Sequence, residues 1–449
     1  MAYSASERGL AETSAAPRRH ARFAGVGRSW RVEMAKLISQ LPLRILAVAC
    51  LLAPIVFVVV INSQSAVPAD TLFGRWVHAS GFAIPLVVLG FAGSWGFPVL
   101  TGVVAGDMFA SEDRHGTWKT LLSRSCSRSD VFVGKVLAAA TSVAVLVLLL
   151  CVSSLVAGVI GVGAHRLVGL SGTLLSPGRC LGLVLASWAI ALMPVLAFTS
   201  LALLLSVATR SGIVGVLGPP VIGTVMLLLS LVGGGEIVRT IMLATAFDAW
   251  HGLFTEQAYL GPVVEAAVVS AVYAFVCLAV AWRILRRRDF AGVPGGARPG
   301  WALPTRAVAA SAAAVALLAV LANVGPTAIT SKRLEAAINT TFDNLTILQQ
   351  ELLGRAVPAN RSLSSGANCR RHGGGTSNSG PGDDWVCTIT IVVPPPRPDT
   401  IEVTYDVRVR PNGCYTTEGP PSFIGQRVLP GAHGALNPLF QFDGCFNTT

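Results

Sequence analysis

The densest run of reactive side chains is residues 107–135, DMFASEDRHGTWKTLLSRSCSRSDVFVGK. It carries Arg114, Lys119, Arg124, Arg128 and Lys135, in a pattern that suits recognition rather than bond breaking. Gly116 favours a break in a helix. Trp118, Leu121 and Leu122, at i, i+3 and i+4, then give the next turns one short apolar face between Lys119, Ser123 and Arg124. Such a face fits a groove on a partner protein, and a solvated loop resting its rings among lipid headgroups has the same pattern. Covalent chemistry finds little support elsewhere. The Gly-Lys pair Gly134 and Lys135 lacks the earlier Gly of a G-x-x-x-x-G-K-[ST] loop, so this device for cradling ATP phosphates is missing. Neither HExxH nor GxSxG occurs, and no nucleophile and base are spaced as a pair. The chain is therefore expected to have no catalytic residue, metal site or cofactor of its own.

The elements that hold this segment are apolar. Ser80 to Val104 on one side and Val136 to Gly163 on the other contain no Asp, Glu, Lys or Arg and exceed the roughly 20 residues that cross a bilayer. A 52% hydrophobic and 13% charged composition, with mean hydropathy of +0.62, belongs to a polytopic membrane protein rather than a soluble enzyme. Hydropathy predicts seven spans, about Ile45 to Ile61, Ser80 to Val104, Val136 to Gly163, Leu181 to Val207, Ile213 to Leu231, Val263 to Trp282 and Ala307 to Val324. The segments 1–44, 107–135, Arg210 and 283–306 hold twenty Lys or Arg, against Arg75, Arg166, Arg179 and Arg239 on the alternate side. That asymmetry places the N-terminus in the cytoplasm and, after an odd number of spans, the C-terminus outside. The net charge of +11 does not imply a nucleic-acid partner, because residues 331–449 hold ten basic and ten acidic residues and the excess lies beside the spans. Arg far outnumbers Lys, the usage of a GC-rich bacterial genome.

Residues 1–28 read as a disordered basic arm. In 29–42, Trp30, Met34, Leu37, Ile38 and Leu41 share one helical face while Arg31, Glu33, Lys36 and Gln40 lie on others, giving an amphipathic interfacial helix that Pro42 turns into the bilayer. Pro219 and Pro220 interrupt the fifth span and free two carbonyls, as a hinge, a pathway wall or a simple kink would. Glu265, just inside the sixth span, is costly in lipid and so a candidate pathway residue; a place at the aqueous edge accounts for it equally. The run Arg283 to Phe290 is a membrane stop, and 291–306 a linker to the seventh span.

Beyond Ser331 the chain becomes a water-soluble α+β domain, with an amphipathic helix marked by Leu334, Ile338, Phe342, Leu345, Leu348 and Leu352 and two strands, Trp385 to Val393 and Thr400 to Arg410. Cys369, Cys387, Cys414 and Cys445 all fall in this part, where an extracytoplasmic location allows disulfides. Of three pairings, Cys369 with Cys387 and Cys414 with Cys445 close the shortest loops; a zinc site competes but has no CxxC or nearby His pair.

Glu112, Gly116, Thr117, Leu121, Leu122, Ser123, Ser127, Arg128, Gly134 and Lys135, in that order and spacing, resemble the signature of the type-2 permeases of ATP-binding-cassette exporters. The family's Pro falls at Ser125. Leu196 to Val216, LAFTSLALLLSVATRSGIVGV, is similar to the family's fourth-to-fifth helix region, so the resemblance covers about residues 30–290. It implies a six-helix core (43–290), to which the seventh span (307–324) and the 331–449 domain are additions. It further implies an N-terminal helix along the cytoplasmic surface and short re-entrant helices between Gly233 and Gly261. Two copies, or one copy and a related permease, would pair with two cytoplasmic ATPase subunits that bind ATP and Mg. Glu112, Gly116, Thr117, Trp118, Lys119, Leu121, Leu122 and Arg128 would then form the ATPase-coupling surface of an efflux permease in the bacterial cell membrane. The alternative is a membrane-anchored sensor or scaffold whose external domain binds a ligand or envelope partner.

Overall fold

The computed structural model describes residues 18–63, 71–118, 127–231, 241–288, 329–355, 365–372, 378–392, 400–429 and 436–448. Among them, six helices are long and apolar enough to cross a membrane, the make-up of a multi-pass membrane protein. The chain opens with α1 (Arg18–Ser39), breaks at Gln40 and re-forms as α2 (Leu41–Ser63), whose second residue is Pro42, where a missing N–H costs nothing. The second crossing is α3 (Ala83–Phe91) and α4 (Phe97–Ala105), joined by one π-helical turn at Ala92–Gly96. A short α5 (Ala110–His115) leads out of it. Then come α6 (Arg128–Gly161), α7 (Pro177–Thr209), α8 (Gly212–Leu231) and α9 (Gly261–Arg287). Val48, Leu52, Val56 and Val59 on α2, and Val264, Val268, Val272 and Phe275 on α9, remain exposed, as faces turned to lipid would be.

The start of α6 is written in its sequence. Ser127 accepts from the Asp130 amide and Asp130 accepts from the Ser127 amide, both at 3.1 Å, so the Ser-Arg-Ser-Asp run closes a capping box. The prolines of α8 have an equally local consequence. Without N–H groups, Pro219 and Pro220 leave the carbonyls of Gly215 and Val216 without helical partners. Those carbonyls lie against Gly106 and Gly102 at the end of α4, where any Cβ would overlap them. The kink is thus met by a close backbone crossing with a facing helix.

Residues 329–448 form an α+β domain at the end of the bundle opposite α1. Helix α10 (Ser331–Leu352) buries Leu334, Ile338, Phe342, Leu345 and Leu348. These pack on an antiparallel sheet in chain order: β3 (Ser365–Arg371), β4 (Gly382–Val392), β5 (Thr400–Val409), β6 (Cys414–Glu418) and β7 (Gln441–Cys445). Val403, Tyr405, Val407 and Val409 alternate inward along β5. Cys369 is bonded to Cys387 and Cys414 to Cys445, each pair directly opposed on adjacent strands. The two-residue strands β1 (Leu167–Val168) and β2 (Leu174–Leu175), between α6 and α7, reach up to this domain. Asn344 donates to the Ser171 carbonyl at 2.7 Å, and Tyr259 to that of Phe446 at 3.3 Å.

Three expectations differ from the structure. The basic arm is helical from Arg18, so α1 is longer than the 29–42 segment. Ile38 and Leu41 are exposed, because the buried face of α1 runs through Trp30, Glu33, Met34 and Leu37 against α6 and the helix ends before Leu41. Strands β3, β6 and β7 join the two expected from the sequence, where short runs interrupted by Gly gave no periodic signal. The seventh span, 307–324, and the whole 291–306 linker lie outside the described residues.

Gly102→Val should force α4 and α8 apart at the unpartnered carbonyls and cost on the order of 1–3 kcal/mol. A fall in unfolding temperature, followed by size-exclusion in detergent, with Gly90→Ala unchanged as a control in open space, is the expected result.

Candidate functional site

At the α1 end, the residues of the 107–135 motif turn inward. The Lys135 ammonium is 1% exposed and has three partners, Glu33 Oε2 at 2.9 Å, Glu112 Oε1 at 3.0 Å and the Met108 carbonyl at 3.0 Å, one for each of its protons. Lys36 Nζ closes the ring, 2.8 Å from Glu112 Oε1 and 3.4 Å from Glu33 Oε1. Two carboxylates and two ammonium groups thus share one site. The local geometry explains the motif's residue types. Gly116 adopts φ +65° and ends α5, returning the chain so that the Thr117 hydroxyl donates to Glu112 Oε2. Any Cβ on Gly134 would overlap the Ser29 side chain, so its absence lets α1 lie close enough for Glu33 to reach Lys135.

A second ion pair stands beside the first. Arg288, after α9, donates to Asp113 Oδ2 at 2.8 Å and to the Val207 carbonyl at 2.6 Å. Trp118 Nε1 donates to Asp113 Oδ1 at 2.8 Å, and the Trp118 ring stacks on Phe109. Arg128 donates to the carbonyls of Arg286 and Arg288, both at 3.1 Å, satisfying the end of α9. Of the residues expected to form the coupling surface, Glu112 and Trp118 turn inward, each 5% exposed, whereas Arg128 stays exposed while donating to a neighbouring helix end. Lys119, Leu121 and Leu122 lie outside the described residues. The sequence reading did not place Glu33, Lys36, Asp113 or Arg288 in the site and named Lys135 without its buried partners; the available signal was a Lys directly before the uncharged run from Val136 to Gly163.

At the opposite end, a cavity of about 1150 Å³ lies between the bundle and the α+β domain. Glu265 lines it, whereas Pro219 and Pro220 do not, and Pro220 lies against Gly102 of α4. Its rim includes the 3-10 turns Thr245–Asp248 and His251–Phe254, where a re-entrant segment was expected. Burial lowers the His251 pKa to about 4 against the opposing pull of Asp248, so the imidazole is neutral at pH 7. Among the described residues no group of three or more His, Cys, Asp or Glu is placed to hold a metal ion.

Residues 51–291 match the model of a family described as a protein of unknown function, DUF2705. The chain belongs to that family. The DUF2705 region runs from within α2 past the end of α9 and includes Glu112, Asp113, Lys135 and Arg288, while Glu33 and Lys36 come from the preceding helix. The α+β domain lies beyond it. No curated protein matches the chain.

Where this domain meets the DUF2705 region, Asp443 of β7 and Arg75 are both buried. Burial raises the Asp443 pKa to about 6, with Arg75 and Arg410 opposing. The folded state therefore holds this proton more tightly than the unfolded chain; the stabilisation is complete below the ordinary carboxylate pKa and is lost as pH rises through about 6. Asp443→Asn removes that dependence. Its unfolding free energy relative to the native chain should rise between pH 4 and pH 7, by up to about 3 kcal/mol, in parallel melts. At the other end, Lys135→Met leaves two buried carboxylates with only the half-exposed Lys36 as counter-charge and should cost about 3 kcal/mol, with faster hydrogen exchange along α1. Lys36→Met, at a half-exposed partner, should cost below about 1 kcal/mol.

Proposed function

We propose that the chain is the transmembrane permease subunit of an ATP-binding-cassette exporter in a bacterial cell membrane, driven by a separate cytoplasmic ATPase that binds ATP and Mg. The observation that carries this reading is the buried Glu33–Lys135–Glu112 cluster, which joins α1, the 107–118 segment and α6. Arg288 ties the end of α9 to the same segment through Asp113. Force applied to residues 119–126 would thus reach three crossings at once, since both flanks of that stretch are held by charges that are costly to separate. Only a partner with different contacts in its two nucleotide states drives such a switch, which is the role assigned to the ATPase.

The α1 end carries the Lys and Arg excess and is taken as cytoplasmic. The disulfide-bonded domain at the other end is then extracytoplasmic, in keeping with its four paired cysteines. Two copies, or one copy with a related permease, would enclose the transported molecule.

The test is a pull-down of the tagged chain in mild detergent, with mass spectrometry and an ATPase assay. A stoichiometric Walker-motif ATPase, lost when Leu121 and Leu122 are both replaced by Asp, is the expected result. Equal recovery with the double variant removes the coupling role of this segment. An envelope protein held by the α+β domain, with no ATPase, supports a sensor instead.

A further inference from the structure

The cavity between the bundle and the α+β domain has two unlike walls. On the bundle wall the charged groups are carboxylates, Asp248 and Glu265, beside the neutral His251. Asp248 accepts from Asn412 at 3.3 Å, whereas Glu265 has no hydrogen-bond or ion-pair partner among the described residues. Aromatic rings stand with them. The π-helical turn between α3 and α4 interrupts the regular helix at this wall, and Phe91 and Trp95 line the cavity while remaining 49% and 54% exposed. The domain wall carries charges of both signs, Arg371, Arg408 and Arg410 with Asp383 and Asp384, and Arg371 is held by Asp384 at 2.7 Å.

We propose that this cavity is a binding site for an amphiphilic organic cation, whose charge sits against Glu265 and the Phe91 and Trp95 rings while its apolar body fills the bundle side. The volume exceeds the few hundred cubic ångströms that a drug-sized molecule needs. A carboxylate lacking a protein cation, in a cavity that also exposes aromatic faces, is the arrangement that holds a weakly hydrated cation; inorganic cations need several clustered ligands, and no such cluster is found among the described residues. The site requires neither an ATPase nor transport, so it stands apart from the exporter reading.

The probe is tetraphenylphosphonium, with tetraphenylborate as a companion of the same shape and opposite charge, titrated against the full chain in dodecyl maltoside by scintillation proximity with empty micelles as blank. Saturable phosphonium binding is expected, weakened about tenfold or more by Glu265→Gln, a variant that leaves borate binding equal or stronger. Gly90→Trp supplies an independent check. Gly90 lines the cavity and a Cβ there meets no atom within 4 Å, so the added ring blocks the site with the fold intact, and phosphonium binding is lost. Phosphonium signal no greater than in empty micelles, unchanged binding in either variant, or equal loss of both ions in Glu265→Gln overturns the proposal.

Discussion

The ammonium group of Lys135 sits almost wholly out of water, and the assembly of the α1 end depends on what surrounds it. Transfer of one charge to such a place costs several kcal/mol unless the geometry of its partners is good. Here the partners come from three separate parts of the chain: Glu33 from α1, Glu112 from α5 and the Met108 carbonyl from the turn before it. None of these elements can dock correctly without the others. The same logic explains the inward position of Trp118, whose indole N–H and ring are both used by neighbours. Charged residues placed between apolar helices thus act here as assembly instructions as well as surface features.

The six crossings were legible because an uncharged run longer than roughly 20 residues, in a chain of this hydropathy, is too apolar for a water-exposed segment and long enough to cross a bilayer. The amphipathic helix α10 was legible for the related reason that its apolar residues recur at the helical period and one domain covers them. The 107–135 segment misled in a specific way. Charge and aromatic character normally signal a surface, and spacing alone does not reveal that Glu112 and Lys135, 23 residues apart, meet each other and a third residue almost eighty positions upstream of Glu112. Long-range pairing of opposite charges leaves no periodic trace. Trp30, Met34 and Leu37 of α1 pack against the bundle as their period implies, but Glu33 joins them inside because a buried cation waits there. The cavity was illegible for a similar reason: Phe91, Glu265 and Asn412 belong to three distant stretches and acquire a common chemistry only when the domain closes over the bundle.

Glycine and proline divide the work of helix contact in the DUF2705 region. The prolines of α8 free two carbonyls, and the glycines of α4 allow those carbonyls to approach a neighbouring backbone. Each feature alone is a defect in a helix, and together they specify one contact. Towards the other end of the second crossing, the π turn of Ala92–Gly96 packs Gly93 against Phe247 and turns Ser94 and Trp95 to the cavity. The second crossing is therefore closely packed where it meets α8 and open where it meets the α+β domain.

The sheet of that domain runs in chain order, with every strand hydrogen-bonded to the next and each disulfide joining immediate neighbours. No strand waits for a distant one. A chain that folds from its N-terminal side therefore meets each new strand with its pairing surface already formed, and every cysteine finds its mate on the neighbouring strand. Local topology of this kind folds fast, which suits a domain whose covalent cross-links each join strands that are already neighbours.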